Sequence, residues 1–290
     1  MAYGFLKING ARLQYCESGP DNGHLVITLH GGRGFGSKEA DFSVYSRLSQ
    51  YGYKVVGFDF RGHANSSLTP PFTFHQIVDD IDGVRAHFAG SDGQCILIGG
   101  SFGGFIAQQY AITYPDHVSH LILRGTAPSY HHEEEAFKVL ASRLDKVPNA
   151  SISMLKKVFS RFESDQEMQL VMFALSPLYS EEYNPDKGLQ SCLKTKYRSE
   201  THNDLYSETE KYFDYRSQLP YLKVKTLIFD GKEDWICPIS QSEELHRLIP
   251  NSVLYIIPHA NHSVHLEFPD LVVSKLLLFL TGKVDDSFEL

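Results

Sequence analysis

The chain has one tryptophan and four cysteines, and it has no apolar run long enough to cross a bilayer. A membrane-spanning helix needs about 20 consecutive apolar residues, and the longest stretch near the C-terminus, LVVSKLLLFL, falls well short. Cys16, Cys95, Cys192 and Cys237 lie far apart with no C-x-x-C pair. That spacing excludes a zinc-ribbon framework and a dense disulfide scaffold, and points to reduced, mostly buried thiols. Positive charge is also scarce: 27 Lys and Arg face 35 Asp and Glu, a net charge of −8. Such a balance argues against nucleic acid or an anionic membrane as partner. The opening MAYGFLKING has no basic segment ahead of an apolar run, so no secretory signal is expected. The expectation is a soluble, cytoplasmic protein.

What is present is an alternation. Short runs rich in Val, Ile, Leu and Phe at 25–30, 54–60, 95–100, 120–125, 225–231 and 253–258 alternate with amphipathic segments. Continuous apolar runs of this length suit strands buried on both faces of a parallel sheet, and the segments between them suit covering helices. Helices are predicted at about 38–51, 75–89, 102–114, 239–249 and 269–281. Before them, YGFLKINGARLQYCES reads as a hairpin turning at Asn9-Gly10. The alternation breaks between 129 and 220. Four pieces there, HHEEEAFKVLASRLDKV, SISMLKKVFSRFES, DQEMQLVMFALSPLY and ETEKYFDYRSQL, read as helices of an insertion. The expected organisation is therefore a core over 1–128, a helical lid over 129–220 and the rest of the core over 221–290.

One stretch carries chemistry. Gly99-Gly100-Ser101-Phe102-Gly103 fits G-x-S-x-G, with an apolar strand before it and an amphipathic helix after it. Small neighbours permit a sharp strand-to-helix turn that strains the serine and leaves its hydroxyl exposed at the helix N-terminus. A serine hydroxyl is a poor nucleophile, so it needs a base oriented by a third group. An acid and then a histidine are expected further along the chain. LIFDGKEDWICP offers Asp230, Glu233 and Asp234, and PHANHSVHLEFPD offers His259, His262 and His265. Spacing alone does not choose among these six. The developing oxyanion needs backbone N–H donors; Phe102 supplies one, and the loop His30-Gly31-Gly32-Arg33-Gly34 supplies the other. No G-K-[ST] follows that loop and its glycine spacing does not fit a dinucleotide fingerprint. No cofactor or metal is implied.

These motifs together resemble the α/β-hydrolase superfamily, and within it the proline iminopeptidase-like branch. HGGRG resembles H-G-G-P-G, GGSFGG resembles G-G-S-W-G-G, and DFRGHANSS resembles D-x-R-G-x-G-x-S. The resemblance implies a mostly parallel eight-stranded sheet flanked by helices, with an inserted helical lid. It also implies a choice among the six candidates. The family's acid stands in G-x-x-D-x-x-x-P, matching Gly231, Asp234 and Pro238; its histidine stands in a GHSxHLExP-like context, matching His262. The implied catalytic set is Ser101, Asp234 and His262, with the amides of Gly32 and Phe102 as oxyanion donors. His265 becomes a packing or supporting residue, and Asp59 and Arg61 hold loops beside the site.

The chain departs from the pattern at Arg33, Ala64 and Asn261, where the family has proline, glycine and glycine, and it lacks the Trp-Glu elements of a proline iminopeptidase lid. Arg33 is a candidate either for pairing with a substrate carboxylate or carbonyl or for supporting the loop through a nearby carboxylate. Glu133, Glu134 and Glu135 could hold the α-amino group of an aminopeptidase substrate, but three glutamates near a helix start read rather as a solvated first turn. The expected activity is hydrolysis of a small ester, lactone or amide with an apolar portion. The alternatives are a proline iminopeptidase-type aminopeptidase, a biosynthetic enzyme of this fold doing lactone or C–C bond chemistry, and a slow receptor-like ligand binder.

Overall fold

A computed structural model describes residues 1–179 and 182–283. The expected lid and the second core part thus include residues 180, 181 and 284–290, which lie outside the described residues. Eight strands form one sheet: β1 (Ala2–Ile8), β2 (Ala11–Ser18), β3 (His24–Leu29), β4 (Tyr53–Phe58), β5 (Cys95–Gly100), β6 (Val118–Arg124), β7 (Lys225–Gly231) and β8 (Ser252–Ile257). Their order is β1-β2-β4-β3-β5-β6-β7-β8. The β1–β2 and β2–β4 pairs are antiparallel, and every pair from β4 through β3 to β8 is parallel. The hairpin turns where expected, with Asn9 at φ 46° and Gly10 at φ 79°. Both residues take the left-handed backbone that a tight two-residue hairpin requires.

The helices follow in chain order. α1 (Glu39–Tyr45), α2 (Phe74–Ala89) and α3 (Phe102–Thr113) precede β6. Between β6 and β7 come α4 (His132–Ala141), α5 (Ile152–Val158), α6 (Asp165–Leu175), α7 (Pro185–Lys194) and α8 (Ser199–Leu205). α9 (Ile239–Leu248), α10 (Val264–Glu267) and α11 (Pro269–Leu280) complete the described chain. Successive side chains of a strand point to opposite faces, and the central strands are apolar on both because each face is covered. Leu25 and Ile27 of β3 pack with α2 and α3, whereas Val26 packs with α1 and α11. No helix among the described residues is long and apolar enough to cross a membrane.

The segment between β6 and β7 builds its own small core from Leu140, Leu155, Met168, Leu175 and their neighbours, closed by Trp235. The indole N–H of Trp235, which is 1% exposed, donates to the carbonyl of Leu178. Ser151, Ser164 and Asn184 cap α5, α6 and α7 by accepting backbone N–H bonds.

Three expectations need correction. The helix placed at 38–51 is a short α-helix followed by a 3₁₀ turn over Ser46–Tyr51, ended by Gly52 at φ 86°. ETEKYFDYRSQL is not helical. Phe213 and Tyr215 are buried while Tyr212 and Asp214 are exposed, a two-residue period. Ser129 and Asp214 form an isolated bridge, with Tyr130 N–H donating to Phe213 O at 2.9 Å and Tyr215 N–H to Pro128 O at 2.9 Å. This bridge ties the two ends of the helical segment together. Finally, α7 and α8 were not anticipated: the polar YNPDKGLQSCLK and RSETHNDL carry too few apolar residues to show a buried face.

Candidate active site

Ser101 lies between the last residue of β5 and the first of α3, at φ 52° and ψ −124°. A non-glycine residue at positive φ is strained and persists only where its surroundings hold it. Here its N–H donates to Arg124 O at 2.9 Å, and its carbonyl accepts from Thr126 Oγ1 at 3.0 Å and from Gly104 N–H at 2.9 Å. Glycine at 103 lets α3 start directly against β3, because a Cβ there would collide with the carbonyls of Leu29 and His30.

His262 follows β8, and its Nδ1 lies 2.7 Å from Asp234 Oδ2. The other oxygen of Asp234 accepts the N–H groups of Ile236 at 2.8 Å and Cys237 at 3.0 Å. With both oxygens engaged and its side chain fully buried, Asp234 can hold the imidazole in one tautomer, leaving Nε2 as the acceptor. The four remaining candidates do other work. Asp230 accepts from Ser242 Oγ at 2.6 Å, and burial plus the neighbouring Asp234 push its carboxyl well above the usual carboxylate range. Glu233 reaches Arg143 at 3.5 Å on the outside. His259 is exposed, and His265 is buried in the cavity wall, where it stacks on Tyr45. Asn261, where glycine was expected, uses its Oδ1 to accept the N–H of His262 at 2.7 Å.

The glycine loop is built by two neutral histidines. Gly32 takes φ 77°, a backbone that favours glycine. His63 Nε2 accepts the N–H of Gly34 at 2.8 Å, so its Nδ1–H donates to Arg61 O at 2.9 Å. His30 Nε2 accepts the N–H of Phe60 at 3.1 Å, and its Nδ1–H donates to Gly31 O at 2.9 Å. Burial pulls the pKa of His30 down to about 4 and that of His63 to about 3. Asp59 supports the same corner by accepting Lys38 Nζ at 3.0 Å, and Arg61 pairs with Asp80 at 2.6 Å. Ala64 takes the left-handed backbone itself, at φ 40°.

Ser101, Phe102, Gly32, Arg33 and His262 all line one cavity of about 380 Å³ above the C-terminal edge of the sheet. Helix α8 roofs it. Arg198 N–H donates to Gly34 O at 2.7 Å, and His202 Nδ1–H to Arg33 O at 3.0 Å. The glutamate triplet is not one solvated turn. Glu134 is exposed, but Glu135 accepts from Ser240 at 2.6 Å and Gln241 at 2.9 Å. Glu133 is half-buried, with Oε1 lacking a partner, and burial pushes its pKa up to about 7.

Two residues were missed. Arg124 ends β6, is 3% exposed, and donates to the carbonyl of His262 at 3.1 Å and to Asp41 at 3.1 Å. Its signal was a lone charge at the end of the buried run HLILRG. Asp41 gave none, since an acid in a first helical turn is ordinary.

Residues 24–269 match the family described as alpha/beta hydrolase fold. The chain belongs to the α/β-hydrolase family, and it is a hydrolase. It is 56% identical over 273 residues to the proline iminopeptidase PfmaB of Pestalotiopsis fici, covering 94% of this chain and 97% of the relative. It is 28% identical to the sn-1-specific diacylglycerol lipase ABHD11 of Danio rerio, over 88% of this chain and 78% of the relative. A meta-cleavage product hydrolase from Pseudomonas fluorescens superposes with a TM-score of 0.76 at 20% identity, over 96% and 97% of the two chains. That likeness speaks to the fold alone.

Proposed function

We propose that the protein is a serine hydrolase that cleaves a small ester, lactone or amide through an acyl-enzyme. The observation that carries this reading is the 2.7 Å contact between His262 and Asp234 at a cavity onto which Ser101 also opens. Ser101 Oγ attacks the carbonyl carbon while His262 Nε2 takes the hydroxyl proton. The negative oxygen is held by the amides of Gly32 and Phe102, the latter at the start of α3 where helical N–H groups have no internal partner. Collapse expels the leaving group, protonated by His262, and water activated by the same imidazole releases the acid. Residues 129–220 act as the lid; the Ser129–Asp214 bridge at its base and the docking of α8 on the glycine loop support that role.

Turnover of short p-nitrophenyl esters tests this. Ser101→Ala and His262→Ala should each lose activity by on the order of 10³-fold or more. Retention of activity in Ser101→Ala sinks the assignment. A proline iminopeptidase-type activity is the second reading, favoured by the name of the 56% identical relative. It needs an acid to hold the substrate ammonium. Glu135 is already engaged, which leaves Glu133. Proline p-nitroanilide turned over faster than every p-nitrophenyl ester would establish that reading over the first.

A further inference from the structure

Arg33 is a buried cation that forms no ion pair among the described residues; the charge that answers it is the half-buried carboxyl of Glu133, whose pKa its guanidinium draws down against the effect of burial. Arg33 is 4% exposed, yet no carboxylate lies within ion-pair distance of its guanidinium among the described residues. Among the described residues its one side-chain hydrogen bond is from Nη1 to the carbonyl of Leu205 at 3.2 Å, and Nη2 has no hydrogen-bond partner. Five aromatic rings surround it. The guanidinium carbon lies 3.9 Å from the centroid of Tyr206 and 5.3–5.9 Å from those of Phe74, Phe102, Phe105 and Phe213. Ring faces attract a cation, but weakly beside the cost of taking its charge out of water. The rings offer Nη2 no oxygen acceptor for its N–H groups.

The main chain fixes where this cation sits. Arg33 follows Gly32, and its carbonyl is tied to His202 of α8 at 3.0 Å. It lines the same cavity as Ser101 and His262. A planar guanidinium with an edge turned to the cavity and aromatic rings around it matches a carboxylate of the substrate. We propose that Arg33 is a specificity determinant: it binds a carboxylate carried by the substrate at a distance from the scissile carbonyl, so that the hydrolase acts on acidic esters or amides. The proposal rests on the serine hydrolase reading above. It runs against the aminopeptidase reading, because a substrate ammonium beside Arg33 would be repelled.

The test compares mono-p-nitrophenyl esters of succinate, glutarate and adipate with p-nitrophenyl hexanoate. The wild type should favour at least one acidic ester by tenfold or more in kcat/KM, and Arg33→Met should reduce that ratio at least tenfold. A wild-type ratio below one for all three, or a ratio unmoved in folded Arg33→Met, overturns the proposal. If Arg33→Met fails to fold, Ser101→Ala protein decides: the corresponding dicarboxylate should raise its Tm in a saturable way, and no shift with any of the three overturns the proposal. Esters left uncleaved while a dicarboxylate binds would instead fault the serine hydrolase reading and leave the carboxylate subsite standing.

Discussion

The sheet and the helical segment between β6 and β7 are held together differently. Central strands such as β5 are buried at every position and paired on both sides, and their ends carry Ser101 and, through Arg124, the loop of His262. The helical segment has a small core of its own, short helices ended by single side-chain caps, and an anchor at Trp235 next to Asp234. In the proposed mechanism the sheet supplies the rigid geometry for bond-making, and the segment that rests on it supplies the shape around the substrate. Arg33 belongs to both, because its rings come from α2 and α3 on one side and from Tyr206 and Phe213 on the other.

That contrast can be broken in several places. The largest effect is expected at Asp234→Asn, which keeps the shape but lets the imidazole take the wrong tautomer. Activity should fall by on the order of 10³–10⁴-fold with little change in Tm. Next is Arg124→Met, which strands Asp41 in the core. Burial already pushes that carboxyl above its usual range, with Arg124 holding it down. A loss of about 3–5 kcal/mol is expected in denaturant unfolding, and it should be global. Trp235→Phe removes the donor to Leu178 and should cost about 1–3 kcal/mol. Its mark is local: faster proteolysis within 129–220 than in the sheet. Equal loss in both regions would erase the distinction.

Acid should loosen the glycine loop. Burial depresses the pKa values of His30, His63, His132 and His202 to about 4, 3, 4 and 3. Below the unfolded value near 6.5 the unfolded chain takes up protons that the fold refuses. Stability is therefore full above about 6.5 and declines as pH falls toward the folded values, by up to about 1.4 kcal/mol per pH unit for each histidine. Urea midpoints at pH 7 and 5.5 measure this, and equal midpoints contradict it. The smallest effect is expected at Ser164→Ala, about 1 kcal/mol from loss of the α6 cap, confined to the helical segment.

Much of the sheet was legible because strands buried on both faces leave unbroken apolar runs, as in CILIGG and KTLIFDG. Ser101 was legible because a strained turn needs small residues at fixed offsets. Asp234 and His262 were not separable from their neighbours by spacing, since a loop's direction depends on what it packs against. Only the family pattern singled them out. The helical segment was read less well for the same reason. α7 has one buried side chain, Cys192, and Phe213 with Tyr215 follow a strand-like period inside a region that otherwise reads as helix. The burial of Arg33 had no local signal at all, because the rings that enclose it come from four separate stretches of chain.

The most direct test of the central claim is the site of covalent labelling by a fluorophosphonate. The account predicts one adduct per chain, mapped by peptide mass to Ser101, lost in Ser101→Ala and slowed in His262→Ala. An adduct on another residue, or no adduct on a folded protein that still hydrolyses esters, would contradict it.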